Sequence, residues 1–263
     1  MLKSALASSS ILAVSALAAM GGDGFTYTSG FEDPAFPNSL GEVAGTDGWA
    51  INSGVTDLSF VVSSWSSGFA PASQAAGFGG YFSNPGAPGT VVDLTHPVSI
   101  LLTSVTFDVD FAVMGADAFP GQDALSWVFA GSSNPLLRVA FEPPGGAGDL
   151  ELAWYDNSGT RHLISPVSQD IFYDSSYHLN VAFSASGVDA AFVATLTGTG
   201  SVAFSGSLPG EGKTVLTDVG ARLTVIDGSD SFLVFDNFSA VPEPQSACLV
   251  FLAFAGLSLR RRR

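Results

Sequence analysis

Apolar and polar residues alternate along several short segments of the chain. In the segment 105–111 every odd position is apolar and every even position is polar, which is typical of a strand with one buried face. The same alternation predicts further strands at 125–130, 136–141, 150–155, 177–184, 191–196, 201–204, 222–226 and 231–238. Turn sequences rich in Gly, Pro, Asn and Asp separate these segments. Many short strands at this spacing predict an all-β sandwich over residues 22–240.

The early part of this region has a different composition. Residues 44–89 are richer in Gly, Ser and Ala than the rest, which predicts short strands joined by long connections. Neither a heptad pattern nor a long amphipathic helix occurs between positions 25 and 240. The fold class that follows is all-β with antiparallel strands.

Charge narrows the range of partners. The 263 residues include 24 Asp or Glu against 9 Lys or Arg, a formal net charge of −15. Between positions 22 and 240 the basic residues are Arg138, Arg161, Lys213 and Arg222. This balance excludes nucleic acid as a partner, because phosphate binding needs a cationic surface. It also predicts that an anionic polysaccharide would bind only through bridging cations. The single cysteine, Cys248, excludes an internal disulfide.

The first 18 residues have the pattern of a secretory signal peptide. Lys3 supplies a positive start, the segment 5–18 is apolar or small, and Ala16-Leu17-Ala18 fits an A-x-A cleavage site. Cleavage after Ala18 is the first expectation, and cleavage after Gly21 is the second. The alternative is a buried N-terminal helix. The pattern predicts export through the inner membrane.

The last 23 residues have three parts in a fixed order. A proline-rich motif is followed by an uncharged apolar run at 246–259 and then by an arginine cluster. Proline predicts that the motif is an extended spacer outside helix interiors and sheet ladders. A helix over the apolar run would be about 21 Å long, short of the roughly 30 Å hydrocarbon core, so it predicts a marginal anchor. The arginines would stay on the cytoplasmic side. The motif residues are Val241, Pro242, Glu243 and Pro244, and the cluster is Arg260, Arg261, Arg262 and Arg263.

This ending resembles the PEP-CTERM sorting signal of Gram-negative bacteria, and the match covers residues 241–263. The resemblance implies recognition by an exosortase and cleavage near the motif. It also implies transient anchoring in the inner membrane and delivery to the cell surface or the extracellular polysaccharide matrix. The alternative is an ordinary tail anchor, which does not explain Pro-Glu-Pro beside so short an apolar run.

A second resemblance concerns the fold. The segment 177–183 reads Tyr-His-Leu-Asn-Val-Ala-Phe, and it is followed by the alternating segment 191–196. It resembles the Tyr-His-x-x-Val strand and following hairpin of concanavalin A-like and laminin G-like domains. The resemblance implies an antiparallel jelly-roll-like sandwich, and the fold itself serves many functions.

Two aromatic residues are candidates for glycan contact. Trp154 and Tyr155 are neighbours on one predicted strand, so they point to opposite faces and at least one of them is expected to be exposed. An exposed ring could stack on a sugar. The alternative for either residue is packing in the core.

Calcium is the only cofactor that the sequence suggests. Asp227, Asp230 and Asp236 place several hard oxygen ligands near one pair of strands. Asp117 and Asp123 form a second candidate on a loop. The alternative at 227–228 is an ordinary Asp-Gly turn, since the spacing does not match a calcium-binding EF-hand loop.

Paired carboxylates suggest an enzymatic alternative. Asp108 and Asp110 share one face of a predicted strand about 6.6 Å apart, and Asp149 and Glu151 have the same relation. Glycoside hydrolysis uses two carboxylates at such distances. The alternative is the solvent face of an edge strand, where Asp opposes aggregation. The three histidines, which are predicted to be structural, are His96, His162 and His178.

Together these patterns predict an exported, non-enzymatic β-sandwich sorted to the cell surface or the matrix. Its predicted role is structural or lectin-like glycan binding. The alternative is a secreted glycan hydrolase or lyase on a jelly-roll fold.

Overall fold

The computed structural model describes residues 27–29, 31, 42–52, 58–62, 74–80, 86–114, 124–132, 135–143, 150–164, 171–226 and 231–242. Within these ranges the chain forms fifteen strands: β1 (Tyr27–Ser29), β2 (Ala50–Ile51), β3 (Ser59–Val62), β4 (Ala75–Gly79), β5 (Val91–Leu101), β6 (Val105–Met114), β7 (Ala124–Ala130), β8 (Pro135–Glu142), β9 (Glu151–Tyr155), β10 (Arg161–Leu163), β11 (Ser176–Ser186), β12 (Asp189–Thr197), β13 (Ser201–Leu208), β14 (Val215–Thr224) and β15 (Phe232–Pro242). A 3₁₀ turn, Leu102–Ser104, joins β5 to β6.

The strands form two antiparallel sheets that pack face to face. Sheet A has the order β13-β12-β11-β6-β15-β4-β3, and β1 lies beside the second half of β15. Sheet B has the order β10-β9-β8-β7-β14-β5-β2. The predicted all-β antiparallel sandwich is therefore confirmed, and the early region contributes short strands as expected.

The core lies between the sheets and is rich in aromatic rings. Alternate residues of each strand point inward, as the alternation along the chain predicts. Phe107 of β6 meets Phe129 of β7 edge to face, with ring centroids 4.9 Å apart. Trp127 meets Phe235 of β15 at 5.2 Å, also edge to face. Edge-to-face contact is a preferred geometry for such rings, so the sheets are joined by an interlocked aromatic layer.

Strand β5 and the first half of β14 were not predicted from the alternation. On β5 the inward positions are apolar except for His96, and Pro97 follows it. Pro97 pairs with Asp218, next to a register shift in β14. A proline lacks the N–H that a regular ladder needs, and an irregularity in the partner strand accommodates it. A histidine and a proline inside the run therefore prevented the alternation from predicting this long strand.

The last strand extends further than the sequence suggested. β15 continues through Val241 and Pro242, which pair with Thr106 and Val105 of β6. The first two residues of the proposed sorting motif thus belong to the sheet, whereas the proline-rich spacer was expected to lie outside it. Proline is tolerated there because it occupies the end of the strand.

The two terminal signals that the sequence predicts lie largely outside the described residues. The signal peptide at 1–18, Glu243, Pro244, the apolar run at 246–259 and the arginine cluster are not among them. Within the described residues, no helix is long and apolar enough to cross a membrane.

Candidate functional site

The outward side of sheet B carries a row of basic and aromatic side chains. Arg138 on β8 lies directly opposite Tyr155 on β9, which in turn lies opposite Arg161 on β10. Arg222 on β14 projects from the same side of the sheet. We call these four residues the arginine face. Their strand neighbours enter the core, so strict alternation leaves these polar side chains outside.

Arg222 is neutralised by a carboxylate on the neighbouring strand. Its Nε and Nη2 atoms donate to the two oxygens of Asp93 on β5, at 2.6 and 2.8 Å. The amide of Asn52 also donates to Asp93, at 2.9 Å. Both members of the ion pair are more than four-fifths buried at the side chain. This two-point geometry is the strong form of an arginine–carboxylate pair.

Arg161 is neutralised by two carboxylates. Its Nε donates to Glu142 and its Nη2 donates to Glu151, both at 2.8 Å. The Tyr155 hydroxyl donates a short hydrogen bond to the other oxygen of Glu142. Burial, followed by this hydrogen bond, raises the pKa of Tyr155 above its ordinary value. Tyr155 is therefore a neutral, fixed donor at physiological pH.

Arg138 differs from the other two arginines. Its guanidinium carbon lies 3.9 Å from the centre of the Tyr155 ring, which is a cation–π contact. No carboxylate or carbonyl of the described residues accepts a hydrogen bond from it. Burial lowers the pKa of Arg138 from its ordinary value, although a guanidinium stays protonated in proteins. The residue thus presents a partly buried positive charge that Glu142 and Asp93 favour through space, while no described residue accepts its hydrogen bonds.

A pocket of about 430 Å³ opens over the arginine face. Arg138, Tyr155 and Arg222 form its sheet side, and the loop 156–159 between β9 and β10 forms its rim. The volume lies within the range of ligand-binding pockets. Its lining combines one aromatic ring with hydrogen-bonding and charged groups.

The rim loop is held in one conformation by Asp156. The Asp156 carboxylate accepts hydrogen bonds from the backbone N–H groups of Ser158 and Thr160, at 2.9 and 3.0 Å. Burial acts to raise the pKa of Asp156, but bonds from Ser158, His162 and Thr160 outweigh it and lower the pKa to about 2. Asn157 fastens the loop to sheet A through the carbonyl of Pro209, at 3.0 Å. These hydrogen bonds fix the position of the pocket rim.

The outward side of sheet A carries a different polar group. Asp110 accepts hydrogen bonds from His178 and Asn237, both at 2.8 Å. Asp108 accepts one from Asn180, also at 2.8 Å. We call these five residues the acidic cluster. Asp108 and Asp110 share a face, as predicted, but β6 lies inside sheet A and is not an edge strand. Each carboxylate is held by side-chain donors of adjacent strands.

The two aromatic candidates have different surroundings. Trp154 is only 8% exposed, and its ring stacks on His162 with centroids 3.8 Å apart. Its other contacts include Phe192, and a Cβ at Gly206 would lie 2.5 Å from the indole, so the glycine makes room for it. This burial removes Trp154 from the candidate ligand-binding residues. Tyr155 is the more exposed of the two, and it lines the pocket.

The calcium candidates are only partly described. Asp236 is buried, and its carboxylate accepts the N–H of Asn237 at 2.7 Å. Asp227 and Asp230 lie outside the described residues, as do Asp117, Asp123 and Asp149. The described part of the chain contains no group of three or more His, Cys, Asp or Glu side chains arranged to hold a metal ion.

The histidines are far apart. His96 is buried against Tyr27, with the rings stacked at 3.5 Å, and its Nε2 lies 2.9 Å from the carbonyl of Asp47. His162 and His178 belong to the Trp154 stack and to the acidic cluster. Each has packing or hydrogen-bonding contacts within the sandwich.

Sequence reasoning missed Arg138 and Arg222. Arg138 interrupts a strand that is otherwise almost wholly apolar, and both residues are among four basic residues in the region 22–240. Basic residues are rare in this region, and both positions fall on the outward side of their strands. These two features could have indicated the site from the sequence. What the sequence could not supply was the strand order that brings β8, β9 and β14 into one sheet.

The sandwich has the fold of lectin jelly rolls. A seed lectin from Lotus tetragonolobus is similar over 84% of this chain and 100% of its own, with 14% identity and a TM-score of 0.50. Lectin II from Ulex europaeus is similar over 84% of this chain and 99% of its own, with 10% identity and a TM-score of 0.50. An alginate lyase from Pseudomonas aeruginosa shares 11% identity over 64% of this chain and 83% of its own, with a TM-score of 0.45.

No family model matches the chain, and no curated protein matches its sequence. At the identities found, the likeness to solved structures shows the fold alone. The protein is thus a lectin-like jelly-roll sandwich, and its function has to be argued from the residues of its site.

Proposed function

We propose that the protein is an exported, non-enzymatic β-sandwich that binds a glycan in the pocket over the arginine face. The observation that carries this proposal is the pocket of about 430 Å³ lined by Tyr155 and fixed polar groups. Sugar-binding sites combine an aromatic surface with a few well-placed donors and acceptors. The lectin-like fold supports the same function.

The acidic cluster supports a non-enzymatic role. A retaining or inverting glycosidase needs one carboxyl as an acid and a second as a base or nucleophile. In the acidic cluster, Asp108 and Asp110 are both engaged by amide or imidazole donors on adjacent strands. These contacts favour a structural role for the pair.

The proposal also covers the place of action. The signal peptide at 1–18 and the signal at 241–263 support export through the inner membrane and sorting by an exosortase. The mature protein would then reach the cell surface or extracellular matrix of a Gram-negative bacterium. There the pocket would contact the surrounding polysaccharide.

Binding is tested with the full chain in mild detergent on a glycan array, once with calcium and once with chelator. We expect binding to a defined saccharide that Tyr155→Ala abolishes and Thr195→Ala, on the outward side of sheet A, leaves intact. Loss of binding in chelator would support the calcium prediction. Binding that is equal in both variants would place the glycan elsewhere, and release of new reducing ends would overturn the non-enzymatic role.

Sorting is tested by expressing the full chain in a Gram-negative host with and without an exosortase. Mass spectrometry should find a mature N-terminus at Ala19 and, only with the exosortase, loss of the residues after the motif. Glu243→Ala should block the second cleavage. It is preferable to a change at Pro242, because Pro242 also ends β15. Cleavage that is independent of the exosortase would refute this part of the proposal.

A further inference from the structure

The few basic residues of this acidic protein are concentrated on one side of the sandwich. The formal net charge is −15, yet three of the four basic residues in the region 22–240 lie on the arginine face. Arg138, Arg161 and Arg222 lie on three different strands of sheet B and share its outward side. This concentration indicates a local function that the net charge conceals.

Two of these arginines are already satisfied by the fold. Arg222 has Asp93 as a two-point partner, and Arg161 has Glu142 and Glu151. Each has carboxylate oxygens at 2.6 to 2.8 Å. A ligand would have to break an ion pair in order to use either residue fully. These two side chains therefore build the surface and leave its charge nearly balanced.

Arg138 remains with its hydrogen-bonding capacity unused among the described residues. A guanidinium has five N–H donors in a planar fork, and here its described contact is the face of Tyr155. The ring holds the fork in place from one side without accepting its N–H groups. The Glu142 and Asp93 carboxylates act on this charge through space but accept none of its N–H groups, so an anion that enters the pocket gains charge-assisted hydrogen bonds there.

We infer that the pocket recognises the anionic group of a saccharide, a carboxylate or a sulfate, through the guanidinium of Arg138. This inference rests on the proposed glycan-binding function and names the chemical class of the glycan. It replaces the expectation from net charge that an anionic polysaccharide needs bridging cations. The Arg138 fork can donate two parallel hydrogen bonds to two oxygens of one anionic group, which a neutral sugar hydroxyl cannot offer.

The test uses matched charged and neutral ligands with the full chain in detergent. Oligogalacturonate is compared with its methyl ester, and sulfated dextran with dextran, by titration calorimetry in chelator. We expect at least one charged ligand to bind about tenfold or more tightly than its neutral counterpart. Preference for the uronate or for the sulfate identifies which anion the pocket takes.

Matched variants locate the charge effect. Arg138→Gln should remove the preference for the charged ligand, whereas Lys213→Gln, which removes the basic residue of this region that lies outside the arginine face, should change it less than threefold. Arg138→Lys should give an intermediate preference, because it keeps the charge and loses the fork. Circular dichroism checks that each variant is folded.

The outcomes separate the two proposals. Equal affinity of the wild-type chain for charged and neutral ligands would overturn the inference and leave glycan binding in place, without relying on any variant. A preference that survives Arg138→Gln in a folded protein would also overturn it. Failure to bind any glycan, charged or neutral, would remove the proposed function and this inference together.

Discussion

The outward sides of sheet A and sheet B both carry charged side chains, and they use them differently. In the acidic cluster on sheet A, donors from β11 and β15 meet the carboxylates of β6. On the arginine face of sheet B, two arginines are paired in the same manner, but within the described ranges Arg138 has no hydrogen-bond acceptor and contacts the ring of Tyr155. A pocket lies over the second surface.

The contrast between the two outward sides gives a criterion that separates structural from ligand-binding polar groups in this fold. A polar group whose partners are supplied by adjacent strands contributes to the stability of the sheet. A polar group that the fold orients but does not satisfy has capacity left for a ligand. Changes on sheet A should therefore alter stability without altering binding, and changes at Arg138 should do the reverse.

The largest expected effect concerns the two sides of one strand. Trp154→Ala should lower the free energy of unfolding by about 3–5 kcal/mol, because it empties the space between His162, Phe192 and Gly206. Tyr155→Phe, one position further on, should cost only about 1 kcal/mol through the lost bond to Glu142. Urea unfolding of both variants measures this. Equal losses of unfolding free energy would mean that the inward and outward sides of β9 do not differ in their contribution to stability.

A second substitution, at Asp93, should free the paired Arg222 to bind a ligand. Asp93→Asn removes the charge that neutralises Arg222 and should cost about 2 kcal/mol of unfolding free energy. It should also tighten binding of an anionic saccharide, because Arg222 lines the same pocket as Arg138. Calorimetry and urea unfolding are the measurements. A variant that is destabilised but binds no more tightly would show that Arg222 does not reach the ligand.

The acidic cluster supplies the converse experiment. Asp110→Ala removes the acceptor of His178 and Asn237 and should cost about 1 kcal/mol, a modest value because the carboxylate is partly exposed. Affinity for any glycan should stay at the wild-type level. A large loss of binding with normal stability would transfer the functional site to sheet A.

The smallest effect should be visible only through pH. The pKa of Asp156 falls from 3.8 to about 2 in the folded protein. A carboxyl with a depressed pKa stabilises the fold above its unfolded pKa and loses that contribution as the pH falls through the folded value. Wild type should therefore be more stable than Asp156→Asn at pH 7, and the gap should close between about pH 4 and pH 2. Urea midpoints at both ends of that window test it, and a constant gap would contradict the assignment.

The sequence predicts the regularly alternating strands well and the irregular ones poorly. Alternation located the strands around Val105, Tyr177 and Phe232, because a half-buried strand has a period of two. It did not locate β5, where His96 takes an inward position and Pro97 follows. The pair Trp154 and Tyr155 was correctly placed on opposite faces, but only the packing decides which side is the core.

The site was harder to predict than the fold. Arg138 and Tyr155 lie on consecutive strands, but Arg222 lies on β14, far along the chain, and its proximity comes from the sheet order. The significance of Arg138 comes from what its neighbours leave unsatisfied. A sequence lists the charges, whereas the pairing that cancels most of them is a property of the three-dimensional structure.

The end of β15 determines how the sandwich would respond to mechanical force. β15 is hydrogen-bonded to β6 on one side and to β4 and β1 on the other, and it ends at Pro242. Its backbone hydrogen bonds run perpendicular to the strand. A pull on the C-terminus along the strand therefore loads many bonds at once in shear, which resists far more force than opening them one by one. A protein attached through this end is expected to stay folded when its surroundings pull on it.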